Sequence, residues 1–244
     1  MFTREYSWVD RVWSLVPAGY VAVFAGSSGF CDARLDVMLV LVTLWGARLT
    51  FNLARKGGWA RGSEDYRTSA LRSRMSPRRF QLYNLFFNTV FQHVILLLIT
   101  LPAWTALNER TPFGVADAVA AALFLVCLAG ETVADQQQWD FQQWKIQERE
   151  AGRNAEPRFL QTGLFRFSRH PNYFFEQTQW WILAAFGVIA AGAVTWTVLG
   201  AALLTALFVG STVFTEGITL DRYPEYADYQ RRTSMVVPWI PRRS

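Results

Sequence analysis

Cysteine is nearly missing from this chain: Cys31 and Cys127 are the only two in 244 residues, so no disulfide framework holds it together. Histidine is as scarce, with two in all. That leaves no His-rich site, and no metal is expected. Charge is thin, at 18% Asp, Glu, Lys and Arg against roughly 25% in ordinary soluble domains. Lysine contributes only Lys56 and Lys145 to the 24 basic residues. No G-x-G-x-x-G turn occurs anywhere, which excludes a Rossmann dinucleotide domain. No repeat, low-complexity tract or linker divides the chain, so it reads as a single domain over residues 1–244.

What fills the space is apolar. Hydrophobic residues make up 52% of the chain and aromatics 16%, with 11 Trp and 19 Phe. A helix needs about 20 mostly apolar residues to cross a bilayer. Val12 to Cys31 and Val37 to Ala54 supply two such stretches, the second broken only by Arg48. Phe80 to Asn108 is a charge-free run of 29 residues, Ala118 to Gly130 opens a fourth span, and Gln177 to Thr215 is a charge-free run of 39. The last is right for two spans with a turn near Ala191 to Thr195. The expected fold is all-α, a polytopic integral-membrane bundle of about six transmembrane helices. Pro17 and Pro102 are expected to kink or end their helices, and Pro171 to start one.

Basic residues set the expected orientation. Eight lie between Arg55 and Arg79, six between Lys145 and Arg169, and five between Arg222 and Arg243. The positive-inside bias puts both termini, the loops near 55–79 and 145–175, and the tail 217–244 in the cytoplasm. Only Arg34 and Arg110 fall on the opposite side. The net charge of +5 belongs to these loops, which argues for anionic phosphate contact and against nucleic acid.

Polar groups at membrane depth are costly and mark candidate sites. Arg48 and Asn52 lie one turn apart near the end of the second span. Asn84, Asn88 and Gln92 repeat every four residues, a stripe that helix–helix glue explains nearly as well as a site does. Glu131, Asp135, Gln138 and Gln142 fall on one helical face, a set of acceptors suited to the hydroxyls of a ribose. Arg158, Arg166, Arg169 and His170 are a dense donor set for phosphate oxygens. Asn172 and Glu176 follow one turn apart, and Tyr223, Tyr226 and Tyr229 offer rings for stacking on a base.

At Arg169-His170-Pro171-Asn172-Tyr173 and Glu176 the sequence resembles the steroid 5-alpha-reductase family, in its broad bacterial membrane branch. Val9-Asp10 with Trp13, Trp45-Gly46 with Arg48-Leu49 and Asn52, and Glu64-Asp65-Tyr66-Arg67 match that branch in order. So do Glu131 with Ala134-Asp135 and Gln137, Gly163-Leu164-Phe165, and Tyr226, Tyr229 and Thr233 to Pro238. The resemblance implies an NADPH-dependent reductase of the bacterial inner membrane that saturates an activated carbon–carbon double bond. Its substrate would be lipophilic and steroid- or isoprenoid-like. Cofactor contacts carry over to Glu131, Asp135, Arg158, Asn172, Glu176 and Tyr229. Arg48, Asn52, Arg169, His170, Tyr173 and Tyr226 join them as expected cofactor residues. Steroid-branch members usually have seven spans, and this chain begins at the segment matching their second. In place of the Glu and Tyr that hold the substrate carbonyl in that branch, Asp10 and Tyr66 are the catalytic candidates.

Two other classes compete. Isoprenylcysteine and phospholipid methyltransferases, which use S-adenosylmethionine, share the Arg-His-Pro element and a similar set of helices. A transporter or scaffold is the non-catalytic alternative, but no inverted repeat is present.

Overall fold

A computed structural model of the chain describes residues 8–60, 71–73 and 75–241, the side chains of residues 8–10 and 88 excepted. Ten α-helices appear among them: α1 (Trp8–Trp13), α2 (Val16–Ser27), α3 (Ala33–Arg55), α4 (Pro77–Tyr83), α5 (Gln92–Leu98), α6 (Leu101–Glu109), α7 (Val115–Glu150), α8 (Pro171–Ala191), α9 (Leu199–Arg222) and α10 (Tyr226–Arg232). Asn84–Phe91 winds as a π-helix between α4 and α5. The described residues hold no strand, and a lone bridge joins Ser168 to Ser234. The all-α expectation holds.

Four segments are long and apolar enough to cross a bilayer: Ala33–Arg55, Pro77–Glu109, Val115–Glu150 and Trp196–Arg222. The protein is an integral membrane protein. Two of the six expected spans fall short, each for a visible reason. Val12 to Cys31 breaks at Ser14 and Leu15, leaving α2 with 12 residues, or about 18 Å of rise. The 21 residues of α8 are enough in length, but Asn172, Glu176, Gln177 and Gln179 make its first half polar. Pro17 and Pro102 sit in the first turns of α2 and α6, where a missing N–H is harmless. Pro171 opens α8 as expected, and α8 ends at Ala191 where the turn was expected.

The chain divides into two compact units, Met1–Phe124 with Trp180–Leu204, and Leu125–Gln179 with Thr205–Ser244. In the first unit α3 is started by Asp32, whose side chain accepts from the backbone N–H groups of Arg34 and Leu35 at 3.0 and 3.1 Å. That satisfies two of the four donors a helix start leaves open. Asp32→Ala is therefore expected to lower stability by about 1 kcal/mol, read as a small drop in the thermal midpoint in detergent.

The buried side of α3 carries Leu35, Met38, Leu41, Val42 and Trp45, the spacing of a single helical face. Gly46 permits the tightest approach on that face, since a Cβ there would lie 2.3 Å from the Ser14 carbonyl oxygen. Trp45 packs edge-on against Trp180 with ring centroids 4.8 Å apart. Arg34, expected in a connection between spans, lies in the first turn of α3 and is buried. Its Nε and Nη2 donate to both carboxylate oxygens of Asp117 at 2.6 and 2.9 Å. Nη1 donates to the Thr111 hydroxyl at 2.7 Å and Nη2 to the Pro112 carbonyl at 3.1 Å. Arg34 thus clasps the start of α3 to the start of α7.

Candidate functional site

The second unit holds most of the expected cofactor residues, because α7 and α8 bring their polar faces together there. Glu131 and Asp135 lie one turn apart on α7 and are 2% and 6% exposed. Asn172, Glu176 and Gln179 occupy matching positions on α8. Gln179 Nε2 donates to Glu131 Oε2 at 2.7 Å, and Asn172 Nδ2 donates to Asp135 Oδ1 at 3.4 Å. As the α7 partner moves forward from 131 to 135, the α8 partner moves back from 179 to 172, so the segments run antiparallel. A carboxylate–amide ladder results, with Glu176 buried in the same stretch of α8. The stripe read from sequence ends early: Gln138 is half-buried and Gln142 is exposed.

Three polar atoms of α8 have no hydrogen-bond partner although they are buried: Gln177 Nε2, Gln179 Oε1 and Trp180 Nε1. Gln177 is otherwise held by the Thr205 hydroxyl, which donates to its Oε1 at 2.8 Å. Of the three, Gln179 Oε1 lies on the Glu131 side of α8, a spare acceptor that suits a ligand with hydroxyl or amide N–H groups. Gln177, two residues away, is turned to Thr205 instead. Buried groups of this kind are ordinarily paired.

A second network lies beside Pro171. Glu216 of α9 is its centre, and sequence reading missed it. Arg169 donates to both Glu216 oxygens through Nε and Nη2 at 2.7 and 2.9 Å. His170 Nε2 lies 2.9 Å from Glu216 Oε1, the Tyr226 hydroxyl donates to the same oxygen at 3.1 Å, and Gln230 Nε2 donates to Oε2 at 2.8 Å. Arg169 Nη1 also donates to the carbonyls of Gln230 and Thr233. Burial works against the Arg169 charge, but the hydrogen bond and charge of Glu216 outweigh it and raise its pKa.

The backbone follows the same clasp. The amide of Arg169 donates to Ser234 O at 2.9 Å, that of His170 to Met235 O at 3.1 Å, and that of Trp239 to Phe167 O at 2.9 Å. The Tyr229 hydroxyl donates to the Phe165 carbonyl, and Tyr173 stacks on His170 with centroids 5.3 Å apart. Arg169, Tyr226 and Tyr229, read as cofactor contacts, are thus turned inward to fasten the tail. Gly163 makes the preceding turn at φ +60°, where a Cβ would lie 2.5 Å from Gln137 Oε1. That same oxygen accepts the Leu164 N–H at 2.9 Å.

Burial raises the pKa of both phenols, Tyr226 and Tyr229, above the ordinary value, the Glu216 charge adding to it. A raised phenol favours the neutral form in the fold, so its contribution is complete below about pH 10 and is lost as pH climbs through the raised value. Thermal midpoints should therefore be flat from neutral pH to about pH 10 and fall above it. Tyr226→Phe combined with Tyr229→Phe should flatten the fall. An alkaline limb identical to that of the natural chain would contradict the assignment.

The remaining expected residues are divided between the two units. Arg158 is exposed, with Nε 2.8 Å from Glu156 Oε1 and 3.7 Å from Glu225 Oε1. Arg48 and Asn52 belong to the first unit, where Asn52 is buried and its Oδ1 accepts from Arg55 Nε at 2.8 Å. Asp10 falls on α1 with its side chain outside the described residues, and Tyr66 lies outside them altogether.

Lys145 is the other residue that sequence reading passed over. It continues the face of Glu131 and Asp135 along α7, is 7% exposed, and donates from Nζ to the Arg158 carbonyl at 2.6 Å. Ten residues separate Asp135 from Lys145, or about 15 Å along the helix. A ligand touching both the ladder and the Arg158 segment must therefore be extended.

Residues 1–233 match the model of a family described as "Protein of unknown function (DUF1295)". An uncharacterized protein of the fission yeast Schizosaccharomyces pombe is 36% identical over 256 residues, an alignment covering 98% of this chain and 74% of that protein. No solved structure matches.

Proposed function

The chain belongs to the DUF1295 family, and from that premise we propose that it is a membrane-embedded, NADPH-dependent reductase of activated carbon–carbon double bonds. Its place would be the bacterial inner membrane, with both termini and the basic loops in the cytoplasm. The substrate is a lipophilic enone of the steroid or isoprenoid kind, reached from the bilayer. The observation that carries the reading is the ladder of Glu131 with Gln179 and Asp135 with Asn172, continued along α7 to Lys145 and Arg158.

NADPH, when bound, supplies the hydride. The chain's own residues do the holding. Glu131 and Asp135 accept from sugar hydroxyls, and Asn172 and Gln179 fix the orientation of those carboxylates from α8. Gln179 Oε1, on the Glu131 side of α8, provides a spare acceptor that an amide N–H would pair with. Arg158 and Lys145 face phosphate oxygens at the far end. The acid that returns a proton carries over from the steroid-reductase resemblance as Asp10 or Tyr66, at the point where enolate charge develops.

Calorimetric titration of the purified protein with NADPH and with S-adenosylmethionine tests the proposal. Saturable binding of NADPH alone is expected. Binding of S-adenosylmethionine alone would put the chain with the membrane methyltransferases, and binding of neither would remove both enzyme readings.

A further inference from the structure

Four cations of the second unit gather where α7 leaves the ladder behind. Lys145 Nζ stands 5.6 Å from the Phe141 ring centre and 5.8 Å from that of Tyr223. The guanidinium carbons of Arg158 and Arg222 stand 5.7 and 5.4 Å from the same Tyr223 ring. Arg149 lies near enough for its charge to be felt at Lys145. One tyrosine ring is thus ringed by three positive groups, with a fourth beside them.

The carboxylates present do not balance them. Glu156 and Glu225 both attend Arg158. Among the described residues Lys145 has no carboxylate within ion-pair distance, and its one hydrogen bond is to a backbone carbonyl. Two of its three N–H donors are left over on a side chain more than nine-tenths buried. Among the described residues the exposed side chain of Arg222 has no hydrogen bond or ion pair either. Glu156 is the one carboxylate whose charge reaches Lys145, against those of Arg149, Arg158 and Arg222. A buried ammonium so poorly compensated is costly and favours an added anion.

Cation–π contacts with Phe141 and Tyr223 keep Lys145 in place without neutralising it. Lysine presents a compact point charge, which suits phosphate oxygens, and arginine adds a planar pair of donors. We infer that Lys145, Arg158 and Arg222 around Tyr223 form a receptor for a multiply charged phosphoryl group. Such a group displaces Glu156 and Glu225 from Arg158 and takes the free donors of Lys145. The inference deepens the proposed reductase site by fixing where its phosphate end sits. It rests on that reading for the source of the phosphate and not for the receptor's chemistry, since a lipid headgroup carries the same group.

Thermal unfolding of the full chain in nonionic detergent, with sodium pyrophosphate as probe and ionic strength matched by sodium chloride, tests it. A saturable rise in midpoint is expected. Lys145→Met should weaken the apparent affinity at least about tenfold and Arg222→Gln less, while Lys145→Arg retains most of it. A purely structural Lys145 would give a lower starting midpoint in Lys145→Met but an unchanged pyrophosphate shift, and that outcome overturns the inference. So does the absence of any shift in the natural chain, even if NADPH binds.

Where pyrophosphate binds, competition identifies the source. Displacement by NADPH supports the dinucleotide. A pyrophosphate shift with no NADPH binding keeps the receptor and removes the reductase reading. Loss of the shift in nanodiscs containing phosphatidic acid, and not in phosphatidylcholine alone, then supports a lipid headgroup.

Discussion

Glu216→Ala is expected to cost about 3–5 kcal/mol, the range for removing one partner of a buried charge pair. The reason lies in what remains. Arg169 has 9% of its side chain exposed and gives two of its N–H groups to Glu216. Without that carboxylate its charge is buried and uncompensated. His170, Tyr226 and Gln230 lose an acceptor in the same step.

The loss should be local in character as well as large. The amides of His170 and Trp239, whose hydrogen bonds tie residues 167–170 to the tail, should lose protection from hydrogen exchange before α7 does. Glu216→Gln keeps the shape and some of the hydrogen bonds, so it should fall between the two. A drop under about 1 kcal/mol, the size expected of an exposed pair, would show that Glu216 does not hold the tail.

Asn172→Ala and Asp135→Ala are each expected to weaken NADPH binding by about a hundredfold or more while leaving the fold intact. The hydrogen bond from Asn172 to Asp135 is long at 3.4 Å, so losing it loosens rather than unfolds the ladder. A cofactor hydroxyl meeting that carboxylate forms a charge-assisted hydrogen bond, which is the strong kind. Arg158→Ala should also remove the NADPH-dependent shift, since it takes away a phosphate donor whose exposed ion pairs contribute little to the fold. Melting shifts with NADPH that stay unchanged in Asn172→Ala and Arg158→Ala would remove the cofactor assignment.

Much of the membrane architecture is legible in the sequence because charge is excluded from lipid-facing helix. The gaps between charges mark the four long apolar segments directly. Helix breaks are less legible. The break at Ser14 and Leu15 has Pro17 as its one signal, in the first turn of the helix that follows, so one expected span resolves into α1 and α2. α8 is a different case: the charge-free run from Gln177 to Thr215 hides the polar turns at its start, because uncharged amides escape a count of charges.

The site divides along the same lines. Glu131, Asp135, Asn172 and Glu176 are readable because each pair is one helical turn apart on its own helix. Gln179 is readable only after α7 and α8 are placed antiparallel. Glu216 is hidden, since Arg169 and His170 lie 47 and 46 residues upstream of it. Its one sequence signal is that it is the first charge after the long neutral run. Arg169 and Tyr229 show the opposite error: a cluster of donors beside a helix start reads as a phosphate site, and here those two residues are spent on the chain's own carboxylate and carbonyls. Lys145 could have been singled out as one of two lysines among 24 basic residues, on the face that Glu131 begins.

A density map of the protein purified with NADPH would be decisive. The nucleotide should run along α7 in the second unit, its sugar hydroxyls on Glu131 and Asp135 and its phosphates between Lys145 and Arg158. Density for the nucleotide away from that face, or a ladder closed on itself at saturating NADPH with nothing bound along it, would contradict the reductase account.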